Sequence, residues 1–333
     1  MILSDLVTFM ADTKTILVTG GAGYIGSHIC YLLKKNGFTP VCFDNLSHGH
    51  EWAVKYGPFV HGDLRNSEDI QDAIAAYKPH AVIHMASFIQ VGESVQNPLK
   101  YYENNLVGAI HLLKAMEKQG VRNLVFSSTA AVYGSPQYTP MDEAHPCAPI
   151  NPYGLSKLTV ERILQDCGFI KSVSLRYFNA AGAMPEEGLG EAHEPETHLI
   201  PLLIRSALGN GAPLRIFGND YETPDGTCVR DYVHVLDIAK AHVQALAYLD
   251  AGGETVSMNL GTGKGHSNLE VIQAIEKLTK KSVPYTFAER RAGDPAILVS
   301  TCEKAKKTLG WQAQYALDHI LTHAWQWHEG EKV

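Results

Sequence analysis

The sequence predicts an α/β fold, a doubly wound parallel sheet followed by a smaller α/β unit. Three observations carry that expectation. A glycine-rich turn near residue 20 joins an apolar run to an amphipathic stretch. Apolar runs of strand length then alternate with helix-like segments up to about residue 180. Several runs end on Asp, Ser or Thr, where strands of such sheets meet a ligand crevice.

Composition allows this fold and excludes others. The 333 residues hold one large or two modest domains, and 45% hydrophobic with 19% charged content argues for a sizeable core and against disorder. A net charge of −7 with no basic run argues against nucleic-acid binding. No apolar stretch is long enough to span a bilayer. The six cysteines lie far apart without a Cys-x-x-Cys, the usage of reduced thiols in a cytoplasmic protein. Residues 1–14, "MILSDLVTFMADTK", lack the basic region and cleavage site of a signal peptide. They read as an N-terminal extension, with Met10 as an alternative start.

The elements follow in order. "TILVTGGAGYIGSHICYLLKKNG" is a buried strand, a turn with Gly20, Gly23 and Gly26 in Gly-x-x-Gly-x-x-Gly, and a helix. Glycines there let backbone approach a pyrophosphate, and the helix N-terminus offers it free N–H groups. The next strand, "TPVCFDNL", ends in Asp44, eighteen residues past Gly26. An acid at that distance accepts hydrogen bonds from the adenine ribose and favours NAD over NADP. "PFVHGDL" brings Asp63 to a strand end, and "AVIHMAS" is another apolar run. Residues 98–120 read as one long helix, and "NLVFSST" as a strand ending at Ser127, Ser128 and Thr129.

A helix then begins at "NPYGLSK", with Asn151 as N-cap and Pro152 in the first turn. Tyr153 and Lys157, at i and i+4, share one face of it. The alternation makes residues 15–180 a Rossmann-like dinucleotide-binding domain. Residues 181–333 are expected to form a smaller α/β substrate-binding domain, interleaved with the first by chain crossings. Within it, "AGAMPEEGLGEAHEPETH" (181–198) reads as a long mobile segment over the cleft. Ser267 and Glu270 form a capping box, and "TCEKAKKTL" starts another helix. His319 and His323 share a helix face, but His328 points to roughly the opposite side, so no metal is expected there and the three read as helix-surface residues.

The segments "VTGGAGYIGSH", "VGESVQNPLKYYENN", "FSSTAAVYG", "NPYGLSK", "LRYFNAAGA", "IFGNDYETPDGTCVRDYVHV" and "RRAGDP" resemble the extended short-chain dehydrogenase/reductase family. Within it they look like the nucleotide-sugar epimerases that interconvert UDP-galactose and UDP-glucose. The likeness runs from residue 15 to about 300. It implies tightly bound NAD, a UDP-sugar substrate oxidised at C4 to a 4-keto sugar, rotation of that sugar, and re-reduction on its other face.

The resemblance implies Tyr153 as the catalytic base, Lys157 as the group holding the nicotinamide ribose, and Thr129 on the sugar's 4-oxygen. The chemistry is consistent. A free tyrosine has a pKa of about 10, so poising it near neutrality needs about 4 kcal/mol of differential stabilisation, which a nearby lysine and the cationic nicotinamide favour. The cofactor contacts implied are Gly20, Gly23, Tyr24, Ile25, Gly26, Asp44, Asn45, Asp63, Leu64, Met85, Ala86, Ser87, Ile89, Asn104 and Phe178. A lysine found at Ile89 in some members is absent. For the substrate, Tyr177, Asn179, His198, Leu199, Phe217, Arg230, Arg291 and Asp294 are implied, the arginines because their planar fork suits phosphate.

Leu298 is implied beside the sugar's C2 substituent, where tyrosine closes the pocket of plain-hexose enzymes; leucine leaves room for an N-acetyl group. The helices at 98–119 and from Pro152 imply a homodimer built as a four-helix bundle. Related dehydratases carry Asp-Glu directly after the strand-end threonine, where this chain has Ala130 and Ala131. A non-enzymatic dinucleotide sensor would typically lose the Tyr/Lys pair.

Overall fold

Runs of Val, Ile, Leu and Phe without polar interruption make strands that are buried on both faces, and this chain uses them for a parallel sheet. A computed structural model of the chain describes residues 13–209, 213–291 and 293–330. The N-terminal extension expected at 1–14 lies almost wholly outside them. The strands are β1 (Thr15–Thr19), β2 (Thr39–Asp44), β3 (Phe59–His61), β4 (Ala81–His84), β5 (Asn123–Thr129), β6 (Lys171–Tyr177), β7 (Asn179–Ala181), β8 (Leu214–Phe217), β9 (Val229–His234), β10 (Val256–Leu260), β11 (Gly265–Ser267), β12 (Tyr285–Ala288) and β13 (Ile297–Leu298).

The main sheet has seven strands in the order β3-β2-β1-β4-β5-β6-β10, all parallel. The strand order reverses beside β1, which makes the crevice at the carboxyl ends of β1 and β4 the switch point of the sheet. Helices cover both faces. Ile16 and Val18 of β1 pack with α1 (Tyr24–Lys35), while Leu17 points to the other side. There it meets α2 (Ser67–Tyr77) and the helices that follow. Each such fully buried side chain contributes roughly 1.5–3 kcal/mol.

The expected helix over 98–120 is interrupted in an informative way. After a short α3 (Val91–Gln96), it runs through α4 (Pro98–Tyr101), a π turn at Tyr102–Val107, and α5 (Gly108–Gln119). A π turn inserts an extra residue per turn and rotates its side chains off the regular stripe, often at functional sites. Asn151 caps α6 (Pro152–Asp166) by accepting from Gly154 N–H at 2.8 Å, as its position in the sequence predicts.

The remaining helices are α7 (Leu199–Ala207), α8 (Val235–Asp250), α9 (Asn268–Thr279), α10 (Glu303–Leu309) and α11 (Leu317–Gly330). The chain crosses between units: β10 completes the main sheet, and α8 covers it beside α1. A second sheet of β7, β9, β11 and β13, with the β8–β12 pair, packs under α7, α9 and α11. The capping box at the start of α9 is present, Ser267 accepting from Glu270 N–H at 3.0 Å and Glu270 from Ser267 N–H at 2.8 Å.

The segment 181–198, expected as a long mobile segment, is anchored to the body of the protein at several points. Trp327 donates to the Glu191 carbonyl, the His50 ring bonds the Ala192 carbonyl, and the Glu191 and Glu196 side chains are buried. The histidines of α11 also differ from a plain surface set. His328 is buried, and His323 lies 2.9 Å from His234 Nε2; only His319 is exposed. His323 is thus taken up by His234 of β9.

Candidate active site

The glycine loop leaves β1 with Gly20 at φ +72°, a conformation that favours glycine. A Cβ on Gly20 would sit 2.6 Å from the Ala86 nitrogen, and one on Gly26 only 2.1 Å from the Gly20 carbonyl oxygen. Those two glycines therefore bring loop, helix and β4 together. Gly23 is different. It caps α1 without a side chain, has no acid in the turn after it, and meets only the Gly20 oxygen at 3.3 Å. Its N-terminal N–H groups form a cradle suited to a pyrophosphate.

Asp44 stands at the end of β2, buried, and braces this loop. Its carboxylate accepts from Ala22 N–H at 3.0 Å and from Leu46 N–H at 2.8 Å. Burial raises its pKa while those N–H groups pull it back. Asn45 donates to Asp63 at 2.9 Å, and Arg65 holds the same carboxylate at 2.6 Å, keeping it well below the usual carboxylate range. Tyr24 reaches from α1 to the Gly182 carbonyl at 2.5 Å, while Ile25 packs against the core.

Not every expected residue turns toward the crevice. Leu64 buries its side chain among α2 and α5, so only its backbone is available there. Met85 and Ala86 tie their N–H groups to the Thr19 carbonyl at 2.9 and 3.1 Å, and Ser87 follows them. Ile89 is exposed. Asn104 donates to Asn105 at 3.0 Å. Its neighbour Asn105, absent from the sequence expectation, is the buried clamp: it accepts from Phe88 N–H, donates to the Phe88 carbonyl and reaches Ser156 on α6. No residue type or spacing marks it, because only the π turn aims it inward.

Thr129 at the end of β5 and Tyr153 and Lys157 in the first two turns of α6 are all buried. Burial raises the Tyr153 pKa, and the Thr129 hydroxyl facing it works in the opposite direction. Lys157 is buried, donates to the Ser127 carbonyl at 2.7 Å, and lies 4.9 Å from the Phe126 ring centre. Burial pulls its pKa down to about 7, and Glu161 one turn on opposes that. Lys157 is thus held by the strand, not aimed at the phenol. Tyr177 pairs its hydroxyl with Ser127, inside the wall of the site.

A support layer behind Lys157 escaped the sequence expectation. Glu161 takes Arg176 through Nε at 2.9 Å and Nη2 at 2.5 Å, and accepts from Ser128 and Ser257. Arg176 also reaches the Tyr133 hydroxyl at 3.0 Å. The signal was the i+4 spacing from Lys157, which puts Glu161 on the same helix face.

The second unit contributes the other wall. Asn179 begins β7 beside Tyr232. Arg230 is buried and paired with Asp294 at 2.5 Å; Arg291 stacks its guanidinium 4.1 Å from the Phe217 ring centre. Leu298 pairs with Arg230 across β13 and β9, and packs with Phe178 against Val132, Tyr133, Met141 and Leu158. Leu199 opens α7 and packs into the second unit's core, while His198, just before it, is engaged by Glu191 and Glu196.

Seven-stranded sheet, glycine cradle and buried Tyr/Lys helix define a Rossmann-type enzyme built around a dinucleotide site. The chain belongs to the NAD dependent epimerase/dehydratase family, whose family model matches residues 16–261. It is 52% identical over 320 residues to a UDP-glucose 4-epimerase of Rhizobium meliloti, covering 95% of this chain and 98% of that one. Among solved structures, UDP-glucose 4-epimerase from Brucella ovis in complex with NAD superposes with a TM-score of 0.92 at 46% identity, covering 94% of this chain and 98% of that one. The UDP-Glc/GlcNAc 4-epimerase from Campylobacter jejuni gives 0.83 at 41% identity, with 95% and 99% covered.

Proposed function

We propose that the protein is an NAD-dependent UDP-glucose 4-epimerase that interconverts UDP-galactose and UDP-glucose. What supports this reading is the buried Thr129–Tyr153 contact with Lys157 four residues on along the same helix, together with Ala130 and Ala131 where elimination would need acids. The cradle fits NAD: Gly23 caps the helix without a side chain and leaves backbone N–H groups for the pyrophosphate, and Asp44 offers the ribose a carboxylate. Gly20, Gly23, Tyr24, Ile25, Gly26, Asp44, Asn45, Asp63, Met85, Ala86, Ser87, Asn104 and Phe178 would hold it.

Bound NAD supplies the hydride acceptor and donor for C4, and its cationic ring favours the phenolate. Tyr153 takes the 4-OH proton, stores it in the buried site and returns it. Thr129 relays that proton and orients the 4-oxygen. Lys157, fixed by the Ser127 carbonyl, would hold a ribose hydroxyl of the cofactor. Arg230, Arg291 and Asp294 grip the diphosphate and ribose, with Phe217 against the uracil. Gripping the substrate at its UDP end leaves the 4-keto sugar free to turn its other face.

Leu298 leaves space at the sugar's C2 position, and UDP-N-acetylglucosamine is proposed as a second substrate. The functional unit is a homodimer: Val95, Leu99 and Leu155 are 62%, 79% and 40% exposed on α3, α4 and α6, an apolar face that a second copy would cover. Six free cysteines suit a cytoplasmic protein, and among the described residues no helix is long and apolar enough to cross a membrane.

The test is to assay UDP-galactose conversion without added cofactor, then denature the protein and identify the released nucleotide. Turnover with recovered NAD is expected. Recovery of NADP, or activity only with added cofactor, overturns the reading.

A further inference from the structure

The spacing of His319 and His323 predicts no metal, and the described residues bring a different set of ligand-type side chains together. One loop supplies Glu191, His193, Glu196 and His198 at positions i, i+2, i+5 and i+7. One ligand atom from each lies within 4.8 Å of the others. His193 Nδ1 is 3.2 Å from Glu191 Oε1 and 3.7 Å from Glu196 Oε2; His198 Nδ1 is 2.8 Å from Glu191 Oε1 and 3.1 Å from Glu196 Oε1. Four ligands about 2.05 Å from a zinc ion in tetrahedral array stand about 3.4 Å apart. The Glu–His separations of 2.8–3.7 Å lie around that edge, with Glu196 turning a different oxygen to each histidine, and the whole four-atom set stays within 4.8 Å.

A second observation separates this from a plain ion-pair cluster. The Glu196 side chain is fully buried, and its two oxygens are unequal. Oε1 accepts from the Thr197 and His198 N–H groups at 2.7 and 2.8 Å, while Oε2 has no hydrogen-bond partner. His193 Nδ1 is likewise buried and without an aligned partner, despite two carboxylates within 4 Å. The His198 ring bonds Glu196 Oε1 at 3.1 Å, a contact that an ion would replace, while the buried Glu196 Oε2 and His193 Nδ1 stay unpartnered, which is costly unless something takes them. His198, 41% exposed along its side chain, leaves a path from solvent.

We propose that Glu191, His193, Glu196 and His198 form a tetrahedral divalent-metal site, best suited to Zn²⁺, that fastens segment 181–198 onto the glycine-loop helix. Two carboxylates and two neutral imidazoles make the loaded site electrically neutral, which suits its burial. The Tyr24 ring meets the His193 ring edge-on at 6.3 Å, and its hydroxyl bonds the Gly182 carbonyl. The ion therefore sits one side chain behind the cofactor cradle. Its role is structural: all four positions are filled by protein, and no open position remains for substrate.

The experiment uses the full, tag-free chain. Strip it with a chelator, add Zn²⁺, desalt, and measure zinc by mass spectrometry, with a His193→Gln/Glu196→Gln variant alongside. About one zinc per chain is expected in the parent and almost none in the variant. Chelation of the parent should lower its melting temperature, and Zn²⁺ should restore it. Co²⁺ loading covers the case of a variant that fails to fold: the parent should give tetrahedral visible bands without thiolate charge-transfer absorption. Substoichiometric zinc in the parent, full zinc in a folded variant, or a thiolate signal overturns the site.

Discussion

Tyr153, the proposed base, stands in an environment that resists ionising it, since burial raises its pKa. If Tyr153 is the base, its phenolate would be favoured by the cofactor's charge and the Thr129 hydroxyl, since Lys157 is committed to Ser127. Tyr153→Phe should therefore cut turnover by orders of magnitude and leave UDP-sugar binding nearly unchanged, as steady-state rates and calorimetry will show. Glu161 is a different kind of residue: it touches no substrate but satisfies a buried guanidinium. Glu161→Gln leaves Arg176 uncompensated and should cost about 3–5 kcal/mol in a denaturant titration. At Leu298, tyrosine would refill the space beside Phe178, so Leu298→Tyr should depress turnover of UDP-N-acetylglucosamine far more than that of UDP-galactose. A parent inactive on the N-acetyl sugar removes the basis for that expectation.

At the scale of elements, the π turn at Tyr102–Val107 aims Asn105 at Phe88 and Ser156, locking α6 to the loop after β4. The preceding turns carry the apolar face of Val95 and Leu99. A charge there opposes burial against a second copy while leaving each protomer's core intact. Leu99→Glu combined with Val95→Glu should shift the mass measured by light scattering from dimer to monomer at micromolar concentration. A parent that is monomeric under those conditions refutes the four-helix interface.

The whole molecule stores an acid sensitivity. His28, His84, His234 and His242 are buried, and burial lowers their pKa values to about 4, 3, 3 and 4. Unfolded, each takes up a proton near pH 6.5, so the unfolded chain binds more protons as pH falls below that value. Stability is then lost with falling pH, by at most about 1.4 kcal/mol per pH unit for each histidine. Buried Asp44, Asp231 and Asp237, with raised pKa values, oppose this lower down. The melting temperature should fall between pH 6.5 and 5; an unchanged value over that interval contradicts the account.

The sequence by itself determined the strand–glycine–helix unit, the parallel alternation, the Asn151 cap and the Tyr153/Lys157 face. Each depends on local rules: periodicity, φ freedom, capping and helical spacing. Tertiary structure decided what local rules cannot reach. It sent Lys157 to Ser127, turned Leu64 into the core, returned the chain to finish the main sheet with β10, and set Leu298 beside Phe178. It also folded 181–198, which read as a long mobile segment over the cleft, around Glu191, His193, Glu196 and His198. Their neighbours come from helices far along the chain, and burial by those helices, not spacing, fixes how their side chains meet.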